Sequence, residues 1–90
     1  MLFEDIQELN PVQIGQRIQE TRRQKGIKTL DMAVLLGISK NQLSRIECGE
    51  CLCTTKILHK VAQYLEVSAD YLLYGRKEDA YLNQIGNLLQ

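Results

Sequence analysis

The sequence predicts an all-α protein: a five-helix domain with a short extra helix at either end. Three observations predict it. Apolar residues recur three and four apart along most of the 90 residues, and no stretch alternates apolar and polar with the period of a strand. Cap residues precede these segments and glycines follow them. The single proline, Pro11, falls where a helix can begin.

Leu2, Ile6 and Leu9 are spaced for a short amphipathic helix that must stop at Asn10-Pro11. Asn10 is a good N-cap, and Pro11 suits the first position of the next helix. That helix runs through Ile14 and Ile18 and closes at Lys25-Gly26, where glycine permits a left-handed turn and lysine favours the negative helix end. In "KTLDMAVLLG" Thr29 is placed to cap, Asp31 lies in the first turn, and Met32, Ala33 and Leu36 share one face. Gly37 ends this second helix after two turns. Ser39 caps the third, "KNQLSRIEC", which Gly49 stops. Thr54 or Thr55 caps a fourth, with Ile57, Leu58, Val61, Ala62 and Leu65 towards the core. Ser68 caps a short fifth, "ADYLLYG". Leu82, Ile85 and Leu89 are spaced for a tail helix. The division is therefore an extension over residues 1–10, a domain over 11–75 and a tail over 76–90.

The bulk properties bound the function. Ninety residues with 44% hydrophobic content suffice for one core. No apolar run approaches the roughly 20 residues of a membrane span, and no basic segment precedes apolar residues as in a signal peptide. Three cysteines give no disulfide framework, so a reducing cytoplasm is the expected compartment. The net charge is zero but unevenly spread. Residues 1–14 carry three acids and no base, residues 15–60 nine bases against four acids, and residues 61–90 two bases against four acids. A basic middle between acidic ends points to a polyanionic partner.

The second and third helices and the tight turn between them form a helix-turn-helix. Ala33 is small enough for close approach, Gly37 supplies the positive φ of the turn, and Ile38 fills the space between the helices. Leu43 and Ile46 anchor the third helix. Lys40, Asn41, Gln42, Ser44 and Arg45 are left outward. Arg and Lys can bond guanine O6 and N7, and Asn or Gln can bond adenine N6 and N7, so this face suits the major groove.

The wider pattern strengthens this reading. From Ile14 to Gly75, "IGQRIQETRRQKGIKT", "MAVLLGISKNQLSRIECGE" and "ILHKVAQYLEVSADYLLYG" together resemble the phage-repressor (Cro-type, xenobiotic-response-element-like) helix-turn-helix family of transcriptional regulators. The resemblance covers about two thirds of the chain without gaps. It implies a five-helix repressor-like DNA-binding domain, with the third helix in the major groove of a double-stranded operator and binding as a homodimer. By position it makes Lys40, Asn41, Ser44 and Arg45 base readers and places Arg17, Thr29, Ser39 and Gln42 at phosphates. It also implies an ion pair between Arg22 and Glu47 that braces the first helix against the third. The sequence departs from the family in three places. The second helix opens Lys28-Thr29 instead of Ser-Gln. Thr21 stands for a leucine. The loop after the third helix carries Cys48, Glu50, Cys51 and Cys53 where Asn, Lys, Arg or proline is usual, and Glu50 there would weaken attraction to phosphate.

The three cysteines admit a metal, a redox or a packing role. A structural zinc site needs four ligands, usually two pairs, and C-x2-C-x-C supplies no second pair, with His59 two turns into the fourth helix. Cys48 at a helix C-terminus lacks the field that activates a thiol. The expected role is packing: Cys53 replaces proline as a small buried residue, while Cys48 and Cys51 are tolerated. No metal or other cofactor is expected.

One helix-turn-helix contacts few base pairs, so dimerisation is expected, with the tail and Tyr71, Leu72 and Tyr74 as the candidate surface. The leading function is a sequence-specific transcriptional regulator, a repressor, acting at the bacterial or phage nucleoid. The alternative is an antitoxin-like module whose apolar ends bind a protein partner and whose helix-turn-helix serves autoregulation. Catalysis is not expected: there is no nucleophile motif, no His with a carboxylate at useful spacing and no glycine-rich phosphate loop.

Overall fold

The computed structural model describes residues 8–76. They form five helices: α1 (Pro11–Gln24), α2 (Thr29–Leu36), α3 (Lys40–Glu47), α4 (Thr55–Leu65) and α5 (Ala69–Tyr74). The expected terminal helices lie largely outside the described residues. Leu9 belongs to no helix and is exposed.

Local chemistry sets most boundaries. The side chains of Asn10, Ser39, Thr54 and Ser68 each accept a hydrogen bond from the backbone N–H three residues on, at 3.0–3.2 Å. Thr54, not Thr55, caps α4. The expectation for α2 is corrected: its cap is Lys28, and Thr29 is the first helical residue. The first helical bond runs from the Met32 N–H to the Lys28 carbonyl at 3.1 Å, and Lys28 has no side-chain acceptor to offer. Helix α4 ends on Glu66 in the left-handed region (φ 57°), a conformation that glycine serves after α2, α3 and α5.

Every helix contributes to one core. It comprises Ile14 and Ile18 of α1, Met32, Ala33 and Leu36 of α2, Leu43 and Ile46 of α3, Val61 and Leu65 of α4, and Leu72 of α5. Ile38 packs against it from the turn, as do Ile57, Leu58 and Ala62 from α4. Helix α1 is the central strut and packs on α3, α4 and α5, while α2 packs on α3 and α4. Two further expectations are corrected. Leu72 is wholly buried, so it belongs to the core and not to a dimer surface. Cys51 packs against the core alongside Cys53 and is more than tolerated, because the loop runs back across the apolar side chains before α4.

Candidate nucleic-acid interface

The site is built on α3, and the turn before it sets its angle. Gly37 adopts φ 74°, and the Gly37 and Ile38 N–H groups donate to the Val34 and Ala33 carbonyls at 3.1 and 3.0 Å. These bonds close α2 and turn the chain sharply into α3. Ser39 Oγ accepts from the Gln42 N–H at 3.0 Å and keeps its own proton for a second acceptor.

Three contacts hold α3 against the body. Leu43, Ile46 and Glu47 are buried along one face. Gly15 lets the α1 backbone touch the end of α3: a Cβ there would meet the Ile46 carbonyl oxygen and lie 2.6 Å from that of Glu47. The Arg22 guanidinium grips the Glu47 carboxylate with Nε at 2.7 Å and Nη2 at 3.1 Å. The family-implied ion pair is thus present, buried and two-pronged.

The opposite face is open. Asn41, Ser44 and Arg45 are exposed on it, Lys40 is exposed at its edge, in line with Leu43 and Glu47, and Ser39 and Gln42 are exposed beside its N-terminal end. Asn41, Ser44, Arg45 and Cys48 follow the i, i+3, i+4, i+7 spacing of one helical stripe. The structure therefore brings Asn41, Ser44 and Arg45 together on one polar stripe of a buttressed helix, with Lys40 at the edge of that stripe. Thr29 is half-exposed at the start of α2. Arg17 is differently engaged. Its Nη1 donates to the Leu72 carbonyl at 3.1 Å, which ties α1 to α5, and its Nη2 reaches Gln13 Oε1 at 3.5 Å.

The cysteines surround the C-terminal end of α3. Cys48 is exposed, and Cys51 and Cys53 are half-buried. Burial pushes the Cys53 thiol up, a backbone hydrogen bond partly offsets this, and the Cys51 charge adds to it. Among the described residues no three His, Cys, Asp or Glu side chains are placed to hold a metal ion. His59 is exposed on α4.

Sequence reasoning missed two features of this site. Gly15 lies inside a helix, which is a signal of close backbone approach, and it went unused. Cys48 shares the outward stripe with Asn41 and Arg45, which helical spacing alone could have shown.

The family model described as "Helix-turn-helix domain" matches residues 15–78. The chain belongs to this helix-turn-helix family. It is a DNA-binding transcriptional regulator. Among its relatives is the SPbeta prophage-derived uncharacterized HTH-type transcriptional regulator YonR of Bacillus subtilis, 34% identical over 73 residues, which cover 81% of this chain and 68% of YonR. The transcriptional regulator SinR of Bacillus subtilis is 36% identical over 73 residues, covering 80% of this chain and 66% of SinR. The chain thus spans about two thirds of the length of these relatives. The P22 c2 repressor, solved with a synthetic operator, superposes with a TM-score of 0.67 at 27% identity, covering 78% of this chain and all of that one. SinR solved with DNA gives a TM-score of 0.60 at 37% identity, covering 66% of this chain and 95% of that one. SinR solved with the SinI protein gives 0.62 at 30% identity, covering 86% and 79%. Among the described residues no helix is long and apolar enough to cross a membrane.

Proposed function

We propose that this helix-turn-helix regulator is a repressor that binds a two-fold-symmetric operator as a homodimer, with α3 of each copy in the major groove. The observation that carries the reading is the division of α3: Leu43, Ile46 and Glu47 are locked into the body, and Lys40, Asn41, Ser44 and Arg45 face solvent. Asn41 suits adenine through N6 and N7, and Arg45 suits guanine through O6 and N7. Ser44 lies on the same stripe, and Lys40 stands at its edge at the start of the helix. Ser39, Gln42 and Thr29 serve the phosphates on either side, Ser39 through the proton that its cap bond leaves free, and Arg17 adds the N–H groups not committed to Leu72 and Gln13. Dimerisation follows from size, because one such helix spans only part of an operator. Tyr71 and Tyr74 together with the tail form the candidate dimer surface.

The test compares wild-type protein with the Asn41→Ala, Arg45→Ala double variant on a duplex selected by the wild type and on a scrambled duplex. The double variant should keep its melting temperature and lose its preference between the two. Undiminished preference in a folded double variant would remove α3 as the reader.

One observation favours an added protein partner. Leu30 and Val34, one turn apart on the outer face of α2, are 57% and 71% exposed, and Leu35 and Leu52 are also open to solvent. SinR is known in complex with SinI. A partner at this face or at the apolar ends would set when the operator is occupied. A Val34→Glu variant that still yields every complex the wild type forms in its native cell would exclude the α2 face.

A further inference from the structure

The turn that ends α3 carries a carboxylate back towards a base-reading side chain. Gly49 takes φ 82°, its N–H donates to the Ile46 carbonyl at 3.1 Å, and the Glu50 N–H donates to the Arg45 carbonyl at 2.9 Å. This paired closure fixes the Glu50 backbone to the helical turn that bears Arg45. Cys51, packed against the core, anchors Glu50 from the other side. Glu50 Oε2 then stands 4.0 Å from Arg45 Nε, with both side chains more than half exposed.

We propose that Glu50 is a specificity-determining residue: it orients Arg45 for guanine and at the same time holds down affinity for DNA of any sequence. The proposal rests on the reading of α3 as the base-reading helix and deepens it.

Two physical effects combine. A carboxylate 4.0 Å from Nε, too far for a hydrogen bond, draws that edge of the guanidinium by charge alone and leaves Nη1 and Nη2 as a fork that can meet guanine O6 and N7 end-on. Without it the long Arg45 side chain samples many rotamers, including those that reach a phosphate. The second effect is charge. A carboxylate beside the reading helix repels the phosphate backbone whatever the sequence, so it lowers non-specific binding. An operator is found through the ratio of specific to non-specific affinity; the first effect raises that ratio, and the second lowers both affinities alike. Fold stability is not the reason for the pair, since exposed ion pairs contribute little to it.

The experiment uses the full chain, a duplex selected by the wild type and a scrambled duplex of equal length, with binding followed by fluorescence anisotropy over a range of salt. Glu50→Gln should bind the scrambled duplex more tightly, most of all at low salt. Its ratio of specific to non-specific affinity should fall by up to about fivefold, the limit for an exposed pair. The loss should map to the one base pair at which Arg45→Ala also relaxes preference. In an Arg45→Ala background, Glu50→Gln should raise both affinities equally and leave the ratio unchanged. An unchanged ratio for Glu50→Gln with Arg45 intact overturns the proposal while leaving base reading by α3 in place. An Arg45→Ala variant that keeps every base preference removes the reading on which the pair depends, and the proposal with it.

Discussion

Arg22 of α1 and Glu47 at the end of α3 form a buried two-point ion pair, Nε to Oε2 at 2.7 Å and Nη2 to Oε1 at 3.1 Å. The remaining Arg22 amino group donates to the Ile27 carbonyl at 2.8 Å, so the guanidinium also fixes the link between α1 and α2. The orientation of the reading helix therefore depends on a charge pair out of water. Removing one partner leaves the other charge buried and uncompensated. Glu47→Ala should lower the unfolding free energy by about 3–5 kcal/mol. Urea unfolding measures this as a lower midpoint. The double variant Arg22→Met, Glu47→Leu should recover most of the loss, and strict additivity of the two single losses would show that the groups do not act as a pair.

Gly15→Ala tests the backbone contact between α1 and α3. Its Cβ would fall 2.6 Å from the Glu47 carbonyl oxygen, and that neighbour is backbone that cannot rotate away. The helices must separate, at a cost of about 1–3 kcal/mol or more. Gly26→Ala is the control, because nothing lies within 4 Å of it. There the only penalty is the left-handed backbone, about 1–2 kcal/mol. Both variants are compared by thermal melting, and only Gly15→Ala should also weaken DNA binding beyond its loss of folded protein.

The sequence and the structure agree where the controlling chemistry is local. Asn10, Ser39, Thr54 and Ser68 each act through a bond to a residue three positions on, so their roles can be read from neighbours alone. Spacing within α3 likewise separates Leu43 and Ile46 from Asn41 and Arg45. Lys28 marks the limit of this reasoning: a helix also begins without a side-chain cap when its packing is strong, here through Met32, Ala33 and Leu36. The assignment of Leu72 to a surface failed for a tertiary reason, since a helix of six residues shows too little periodicity to reveal which face meets the core. Arg17 bonds a carbonyl 55 residues away, and no local pattern announces that.

Arg17→Ala should destabilise the fold through α5. The Leu72 carbonyl loses a charged donor at 3.1 Å, and a part-buried bond of this kind contributes about 1.5–3 kcal/mol. Hydrogen exchange is the sharper measurement: protection should fall in α5 before it falls in α3. Uniform loss across all helices would mean that Arg17 does not act through this tie.

The cysteine loop offers a chemical footprint of the interface. Exposed Cys48 lies on the stripe of Asn41 and Arg45, so a maleimide should modify it first. Bound operator DNA should slow that reaction, and prior modification should block binding. Cys53 should react more slowly and need more alkaline conditions, because burial holds its thiol neutral beyond the ordinary range. The same shift has a sign for stability. The folded state keeps the proton that the unfolded chain releases, so the contribution is full below the ordinary thiol pKa and is lost as pH rises through that of folded Cys53.

The most direct measurement is selection of duplex DNA from a random pool by the full chain at physiological salt, repeated with Arg45→Ala. Expected is a two-fold-symmetric motif with half-sites about one helical turn apart, and relaxed preference at one position per half-site for the variant. A pool that yields no motif, or a motif unchanged in every position by Arg45→Ala, would contradict the central claim that the outward face of α3 reads base edges.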